Sequence, residues 1–273
     1  MISADVGAPR SWLPRRLWSQ FVGRVSRAEQ AWLRAVLIRG FIRWYDVDLG
    51  DCERPNPADY RHFNEFFTRP LHRDARPVDA TSDGVASPCD GRVLSRGTVE
   101  GDTLVQAKGY AFPIQDLLAD ATLGRRLAGG DALTIYLAPR DYHRVHAPCS
   151  LRFAALRRTG TARFRVDPET AAAIPGLYIA NERAVFEFDA NGAAVALVMV
   201  AAVGVGNIST LWDRGALADA PNTVAKGDEI GRFNLGSTVI VVAERGFLNW
   251  REDLDAGQTV RCGERIGQLA GQT

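Results

Sequence analysis

Two histidines three residues apart in YLAPRDYHRVHAPCS are the first side chains in this sequence that could carry chemistry. His143 and His146 follow a strand-like run and precede Pro148. Because imidazole titrates near neutral pH, either ring could act as a general acid or base. Two other interpretations stay open. His143, His146 and Cys149, with Asp141 nearby, could bind zinc, or both histidines could be ordinary loop residues.

A serine at the entrance to a second strand-like run is the next candidate. In FNLGSTVIVV the residues from Thr238 to Val242 are all strand formers, and Gly236 directly precedes Ser237. The plain interpretation is a bulge or a tight turn that leads into a buried strand. A serine held there could also attack the carbonyl group of the residue before it, because glycine leaves that carbonyl unhindered and the backbone free to bend.

Asp90 in SPCDGRV is the third candidate. Asp-Gly is a common turn pair, so a structural turn is the first interpretation. Asp90, one of the two histidines and Ser237 would also supply the orienting group, the base and the nucleophile of a Ser–His–Asp relay. Their order along the chain is compatible with a relay, because that order differs between folds. A serine hydrolase could use the same residues, although it would usually need an exposed nucleophile.

The elements that must position these residues are mostly strands. From about residue 84 onward, short apolar or alternating runs are punctuated by glycine, which is typical of β structure. DANG between two such runs predicts a hairpin turn, and PIQDLLAD predicts a helix. The sequence therefore predicts an α+β protein, in which a mainly antiparallel β domain (51–273) follows a helical, amphipathic N-terminal arm (1–50).

The arm differs from the rest of the chain in composition, since arginine and aromatic residues dominate between residues 12 and 45. Apolar and aromatic residues recur in it at helical spacing, namely Phe21, Val25, Ala28, Trp32 and Val36. A basic amphipathic helix with tryptophan can lie on an anionic membrane surface. The alternative is a helix that packs on its own domain and leaves its arginines in water.

The overall composition is that of an ordinary globular protein, with 46% hydrophobic and 24% charged residues. The net charge of +1 gives no reason to expect a nucleic-acid partner. The cysteines at 52, 89, 149 and 262 form no Cys-x-x-Cys pair, which argues against a disulfide framework. No run of about 18 apolar residues occurs, so no segment is expected to span a bilayer.

Several motifs together resemble the phosphatidylserine decarboxylases, a family of pyruvoyl-dependent enzymes of phospholipid synthesis. The resemblance runs from about residue 40 to residue 270 and rests on FNEFFTRPL, PCDGRV, QAKGY, YLAPRDYHRVHAP, NER, VGVGNIST and GRFNLGSTVIVV. The Leu-Gly-Ser-Thr signature is specific when it is joined to the His-Arg-Val-His block.

The resemblance implies a role for each candidate residue. Asp90 is similar to the relay aspartate of the family, His146 to its relay histidine, and Ser237 to its self-cleavage serine. His143 is similar to the histidine that the family uses in the decarboxylation step. The division of roles between the two histidines stays open.

The resemblance also implies a proenzyme that cuts itself between Gly236 and Ser237. The products would be a β chain, 1–236, and an α chain, 237–273, which remain together. Residue 237 would become a pyruvoyl group that forms a Schiff base with phosphatidylserine and releases CO₂ to give phosphatidylethanolamine. This covalent cofactor would need neither pyridoxal phosphate nor a metal.

The implied substrate is a membrane lipid, so the resemblance implies a peripheral enzyme at the anionic surface of a bacterial inner membrane, on its cytoplasmic side. It leaves a homo-oligomer open and implies no nucleic-acid partner. Two other functions compete with this one. One is a serine hydrolase with the same relay, and the other is a carrier module suggested by AKGDEIGRF, in which Lys226 would be the modified residue.

Overall fold

The structure of the chain is a computed structural model that describes residues 22–107, 110–202, 208–213, 220–234 and 236–271. The first part of the predicted arm, residues 1–21, lies outside the described residues. In the described part the fold is α+β, and the strands of every sheet pair antiparallel, as predicted.

Short helices and many short strands alternate along the chain. The helices are α1 (Ala31–Tyr45), α2 (Phe63–Phe67), α3 (Ile114–Leu118), α4 (Ala121–Arg126), α5 (Pro168–Ala173) and α6 (Leu177–Ala180). The strands are β1 (Gly84–Ala86), β2 (Gly91–Thr98), β3 (Thr103–Ala107), β4 (Tyr110–Pro113), β5 (Asp131–Leu137), β6 (Arg144–His146), β7 (Leu151–Thr159), β8 (Arg183–Ala190), β9 (Ala193–Ala201), β10 (Ile208–Thr210), β11 (Thr223–Val224), β12 (Glu229–Phe233), β13 (Ser237–Ala243), β14 (Leu248–Trp250), β15 (Thr259–Val260) and β16 (Arg265–Leu269).

The largest sheet in the described part of the chain has the strand order β11-β7-β8-β9-β13-β5-β2-β15, so β13 is an interior strand. All of its residues are buried, because the sheet is covered on both faces. Val239 and Val241 pack into one apolar cluster, while Ile240 and Val242 pack into another on the opposite face. A strand that is buried on both faces reads as a continuous apolar run, which explains the sequence after Ser237.

The neighbour of β13 on one side, β9, is joined to β8 by the predicted hairpin turn. Asn191 and Gly192 form this turn with φ values of 55° and 94°. A two-residue turn with positive φ at both positions matches the right-handed twist of the flanking strands. The DANG prediction is therefore confirmed.

The predicted helical spacing in the arm is interrupted in the structure. Residues 22–26 are helical, residues 27–30 are not, and α1 then runs to Tyr45 and ends at Asp46, whose φ of 52° is left-handed. The inner side of α1, with Ile38 and Phe41, packs on the aromatic residues of α2. No helix in the described ranges combines the length and the apolar character that crossing a bilayer requires.

Candidate active site

Ser237 is the first residue of β13 and is fully buried. It pairs with Leu137 of β5 and Ala201 of β9, which fixes its position in the interior of the sheet. Its Oγ atom has no hydrogen-bond partner among the described residues. Burying a hydroxyl without a partner costs about 1–3 kcal/mol, so this group does not stabilise the fold and Ser237 remains a candidate for a chemical role.

Gly236, directly before Ser237, has a φ of 58°, in the left-handed region that favours glycine. A Cβ atom at this position would lie 2.7 Å from the Cβ atom of Ala202. Both the backbone conformation and the space therefore require glycine. The carbonyl group that a serine nucleophile at 237 would attack belongs to this residue.

His143 lies in a dry environment, with its side chain almost completely buried. Its Nδ1 atom is 2.8 Å from the backbone oxygen of Asp141. Because a carbonyl oxygen can only accept, Nδ1 carries the proton and Nε2 is the unprotonated nitrogen. Nε2 has no hydrogen-bond partner among the described residues. Burial, reinforced by the nearby charge of Arg69, lowers the pKa of His143 to about 3, so the ring is neutral at physiological pH.

Phe67 connects His143 with Ser237. Its ring centroid lies 4.1 Å from that of His143, and its side chain also lines a cavity of about 260 Å³ that Ser237 and Gly236 border. The same helix is tied to the segment before the serine, since Nδ2 of Asn64 donates to the backbone oxygen of Asn234 at 3.0 Å. Phe67 of helix α2 thus contacts His143 and borders the same cavity as Ser237.

His146 has a different set of partners. Its Nδ1 atom donates to the backbone oxygen of Gly227 at 2.8 Å, so its Nε2 atom accepts the hydrogen bond from the Tyr142 hydroxyl at 3.0 Å. Burial lowers the pKa of His146, while the Gly227 carbonyl and the charges of Glu229 and Asp90 oppose this shift. Both nitrogens of His146 are therefore occupied.

Asp90 is held by Arg76 rather than by a histidine. Nε of Arg76 donates to Oδ1 at 2.8 Å and Nη2 donates to Oδ2 at 2.6 Å, while the backbone N–H of Cys262 donates to Oδ1 at 2.8 Å. Nη1 of Arg76 also binds Asp51 at 2.7 Å. Burial would lower the pKa of Arg76, but its hydrogen bonds to the two carboxylates outweigh burial and raise that pKa.

The structure thus places the four predicted residues around two cavities near β6, with His143 just before this strand and His146 at its end. Phe67 contacts the ring of His143 and borders the same cavity as Ser237. Asp90, together with Asp141 and Tyr142, lines a second cavity of about 270 Å³. No hydrogen bond among the described residues joins Asp90 to His146, or either of them to Ser237.

Two residues of this arrangement were missed by sequence reasoning. Tyr142 precedes His146 by four residues within the histidine motif, so its proximity could have been suspected. Arg76 lies in RDARPVD, where nothing local distinguishes it from the other arginines of this arginine-rich chain. Its ion pair with Asp90 depends on tertiary structure alone.

The competing interpretations find little support in the site. Within the described ranges, no group of three or more histidine, cysteine, aspartate or glutamate side chains is placed to hold a metal ion. Lys226 forms an ion pair with Asp79 at 3.2 Å and its side chain is only 15% exposed, unlike the accessible lysine of a carrier domain. The burial of Ser237 also differs from the exposed nucleophile of a hydrolase.

Comparison with known proteins assigns the chain to a family. The family model described as phosphatidylserine decarboxylase matches residues 63–268, and a second model, described as PSD, matches residues 7–46. The chain is 38% identical to the phosphatidylserine decarboxylase proenzyme of Saccharophagus degradans, over 95% of this chain and 96% of that protein. It is 40% identical to the proenzyme of the same name from Halorhodospira halophila, over 94% of this chain and 91% of that one. The chain therefore belongs to the phosphatidylserine decarboxylase family.

Proposed function

We propose that this chain is a proenzyme that cuts itself between Gly236 and Ser237 and then decarboxylates phosphatidylserine to phosphatidylethanolamine. The observation that carries the proposal is the state of Ser237: buried, unpaired among the described residues, and preceded by a glycine with a φ of 58°. Family membership supports the reaction, and the resemblance of the motifs together with the geometry at Ser237 supports the choice of residues.

Self-cleavage begins with attack of the Ser237 Oγ atom on the Gly236 carbonyl carbon. His146 accepts the hydroxyl proton and passes it to the leaving nitrogen as the peptide C–N bond breaks, so that an ester joins Gly236 to the serine oxygen. β-Elimination then transfers the Cα proton of residue 237 to a base and breaks the Cβ–O bond, which leaves Gly236 as a free carboxylate and residue 237 as dehydroalanine. Addition of water releases ammonia and leaves a pyruvoyl group at residue 237.

Asp90 acts on this step through charge. It lies close enough to raise the pKa of His146, and Arg76 holds its carboxylate in place from the other side. A fixed negative charge stabilises the imidazolium that forms when His146 takes the serine proton. Before that transfer, Nε2 of His146 must exchange its hydrogen bond with Tyr142 for one with Ser237.

The surroundings of residue 237 fit a pyruvoyl group. The unpaired Oγ atom of Ser237 marks a buried polar position without a fixed partner among the described residues, and the adjoining cavity gives access to it. When formed, the pyruvoyl group supplies a carbonyl that accepts the substrate amine and withdraws electrons from the carbon that loses CO₂. Apolar side chains such as Phe67 and Leu137 border this region and make its inner part less polar than water.

His143 is suited to move a proton during the decarboxylation. The overall reaction consumes one proton, because CO₂ leaves and the substrate carbon gains a hydrogen. The carboxylate and the phosphodiester of a bound substrate are negative charges that favour the protonated ring, so His143 takes up a proton from solvent only after the substrate has bound. Nε2 then gives that proton to the substrate carbon as CO₂ leaves, which returns the ring to its neutral form.

Helix α1 is suited to bring the enzyme to a membrane surface. Its outer face exposes Trp32 (70%), Val36 (64%) and Trp44 (83%), next to the exposed Arg39 and Arg43. Exposed tryptophan and arginine on one helix face favour binding to an anionic lipid surface. We therefore include peripheral membrane association in the proposed function. On the other side of α1, the side chains of Phe41 and Tyr45 line the Ser237 cavity, so lipid held at the outer face would lie close to the site.

The test of the proposed function is intact-mass analysis of the purified chain beside a Ser237→Ala variant. We expect two fragments from the wild type, with water gained, ammonia lost and a reducible carbonyl on the smaller fragment, and one uncut chain from the variant. Ser26→Ala, another buried serine, serves as the matched control and should be processed normally. A folded wild-type chain that stays intact and carries no carbonyl would refute the proposal.

Two exposed valines provide a matched pair of variants that tests membrane association. Val36→Ser, on the outer face of α1, should weaken sedimentation with anionic vesicles about two- to fivefold, because a partly buried valine contributes about 1 kcal/mol. Val105→Ser, on β3, should leave it unchanged, since that valine is exposed elsewhere on the molecule. Equal binding by both variants would count against docking through α1.

A further inference from the structure

The cavity beside Ser237 is lined mainly by apolar and aromatic side chains. Two charged residues also border it, Arg165 and Asp167. Its volume of about 260 Å³ lies below the usual range for drug-sized ligands, so it can hold a lipid headgroup but not the acyl chains. An anion that enters this space needs a cation to replace its water. Arg165 is the only cationic side chain that borders the cavity in the described part of the protein.

The backbone that carries Arg165 is fixed on both sides. Asn181, which is fully buried, accepts from the N–H of Phe164 at 2.9 Å and donates to the Phe164 carbonyl at 2.9 Å. The next residue after Arg165, Val166, is buried in the apolar cluster over the sheet. Asn181 also donates to the carbonyl of Ala201, which pairs with Ser237. The position of Arg165 is thus linked to that of Ser237 by a short series of backbone contacts.

The partner of Arg165 leaves most of its guanidinium available. Nε of Arg165 lies 3.0 Å from Oδ2 of Asp167. That carboxylate is already occupied, because it accepts from the N–H and the hydroxyl of Thr170 at the start of α5. The Arg165 side chain is 63% exposed, and among the described residues only its Nε atom has an ionic partner. A guanidinium fork with free terminal nitrogens matches the oxygens of a phosphate group.

We propose that Arg165 is a specificity-determining residue that binds the phosphodiester of the lipid headgroup while the serine part of that headgroup reacts at residue 237. The inference rests on the proposed function, because it takes residue 237 as the reacting position. Only three covalent bonds separate the phosphorus atom of a serine phospholipid from the carbon that loses CO₂. Both groups must therefore lie within one small cavity, as Arg165 and Ser237 do.

The test compares Arg165→Ala and Arg165→Lys with a matched control. Arg152→Ala removes an arginine of similar exposure, 61%, that is ion-paired to Asp189 and does not border the cavity. Each full-length protein is first checked for self-cleavage, which needs no substrate and should be complete in all of them. Decarboxylation is then measured in neutral detergent micelles with a varied mole fraction of phosphatidylserine.

We expect Arg165→Ala to raise KM about tenfold and to change kcat less than twofold, because it removes a charged hydrogen bond to a group that does not react. Arg165→Lys should recover part of the loss, since it keeps the charge but not the fork. Soluble glycerophosphoserine should inhibit the wild type and Arg152→Ala, and should inhibit Arg165→Ala much less. Processed Arg165→Ala and Arg165→Lys with wild-type KM would overturn the inference.

A weaker general attraction to anionic lipid would also raise the KM of Arg165→Ala. The same proteins can test this second explanation. Vesicles of phosphatidylglycerol carry the charge and the phosphate without serine, and binding to them should be the same in Arg165→Ala and Arg152→Ala. If Arg165→Ala weakened vesicle binding by the same factor by which it raises KM, the assignment to the substrate headgroup would be overturned. Failure of the proposed function would look different, because the wild-type chain itself would then stay uncut.

Discussion

The two neighbouring histidines, His143 just before β6 and His146 at its end, have different surroundings. On the side of His143, the Nε2 atom of that ring and the Oγ atom of Ser237 are buried and unpaired among the described residues. On the side of His146, both ring nitrogens are occupied, and Asp90 accepts hydrogen bonds from Arg76 and from a backbone N–H. An unpaired buried polar atom costs about 1–3 kcal/mol. The unpaired atoms thus lie on the side of His143, while His146 must first give up its hydrogen bond with Tyr142 before it can act as a base.

The largest expected effect separates the two histidines by function. His146→Ala should slow self-cleavage at least about 100-fold, because it removes the general base. His143→Ala should still cut itself, but its decarboxylation should fall at least about 100-fold. Cleavage is followed by electrophoresis and decarboxylation by release of labelled CO₂.

The control for this comparison is His72→Ala, which removes an exposed histidine. It should leave both reactions unchanged. The reverse pattern, with cleavage lost in His143→Ala and kept in His146→Ala, would transfer the role of base to His143. The unpaired Nε2 atom of His143 would then explain that result directly.

The second expected effect concerns the stability that the ion pair between Arg76 and Asp90 provides. Arg76→Ala, in the uncut Ser237→Ala background, should lower the free energy of unfolding by about 3 kcal/mol, because it leaves the buried Asp90 carboxylate without its main partner. Urea denaturation measures the change. Adding Asp90→Asn should recover part of the loss, since it removes the unpaired charge.

Arg73→Ala is the control for Arg76→Ala, because Arg73 is an exposed arginine of the same segment. Its effect should be within about 0.5 kcal/mol. A loss of the same small size in Arg76→Ala would show that the Asp90 ion pair contributes no more than a surface contact does. The hydrogen bonds around Asp90 would then not distinguish the surroundings of His146 from those of His143 in stability.

The third expected effect is a pH dependence of stability, which comes from the buried and neutral His143. His143 has a pKa of about 3 in the folded chain, below the value of about 6.5 for an unfolded histidine. Between these values the unfolded chain binds more protons, so stability falls as the pH drops through 6.5 towards 3. Between pH 7 and pH 5 this group should account for a loss of about 2 kcal/mol.

His143→Asn tests this dependence, because its amide can still donate to the Asp141 carbonyl. In the Ser237→Ala background this variant should lose about 2 kcal/mol less than its parent between pH 7 and pH 5. Urea denaturation at both pH values measures the difference. His72→Asn, an exposed control, should follow the parent. If His143→Asn follows the parent as well, His143 is not held neutral by burial in the folded chain.

Local signals in the sequence were enough to predict the strand that begins at Ser237, the turn at Asn191 and Gly192, and the fold class. Each of these depends on residues that are adjacent in the chain. The ion pair between Arg76 and Asp90 could not be predicted, because it is set by the packing of separate segments. The break in the arm at residues 27–30 was missed for a related reason, since apolar spacing continues across it.

The cavity beside Ser237 could not be predicted from local sequence signals either. The resemblance indicated Ser237 and Gly236, but the cavity walls come from α1, α2, β5 and the segment before α5, which are far apart in sequence. Aromatic residues such as Phe41 and Phe67 read as ordinary core positions in the sequence. Their second role, as walls of the cavity beside Ser237, follows only from how the helices pack against the start of β13.

The smallest expected effect tests how strictly the packing beside Ser237 requires glycine at position 236. Gly236→Ala adds a Cβ atom 2.7 Å from that of Ala202 and holds alanine at a φ of 58°. Gly246→Ala is the matched control, because its φ is 72° and its Cβ would meet nothing within 4 Å. The control should lose about 1 kcal/mol from its left-handed backbone alone. Gly236→Ala should lose about 1 kcal/mol more, through overpacking, and should also cut itself more slowly.

Ala202→Gly separates the two causes in Gly236→Ala. It removes the contact but leaves the left-handed φ, so the double variant, measured against Ala202→Gly alone, should lose no more stability than Gly246→Ala loses against the wild type. If its cleavage rate returns as well, the contact alone slows the reaction, by displacing the Gly236 carbonyl from Ser237. If stability returns and cleavage stays slow, attack on the carbonyl requires the backbone freedom of glycine itself. Equal stability of Gly236→Ala and Gly246→Ala would instead show that the structure beside Ser237 yields easily, contrary to a site fixed by its packing.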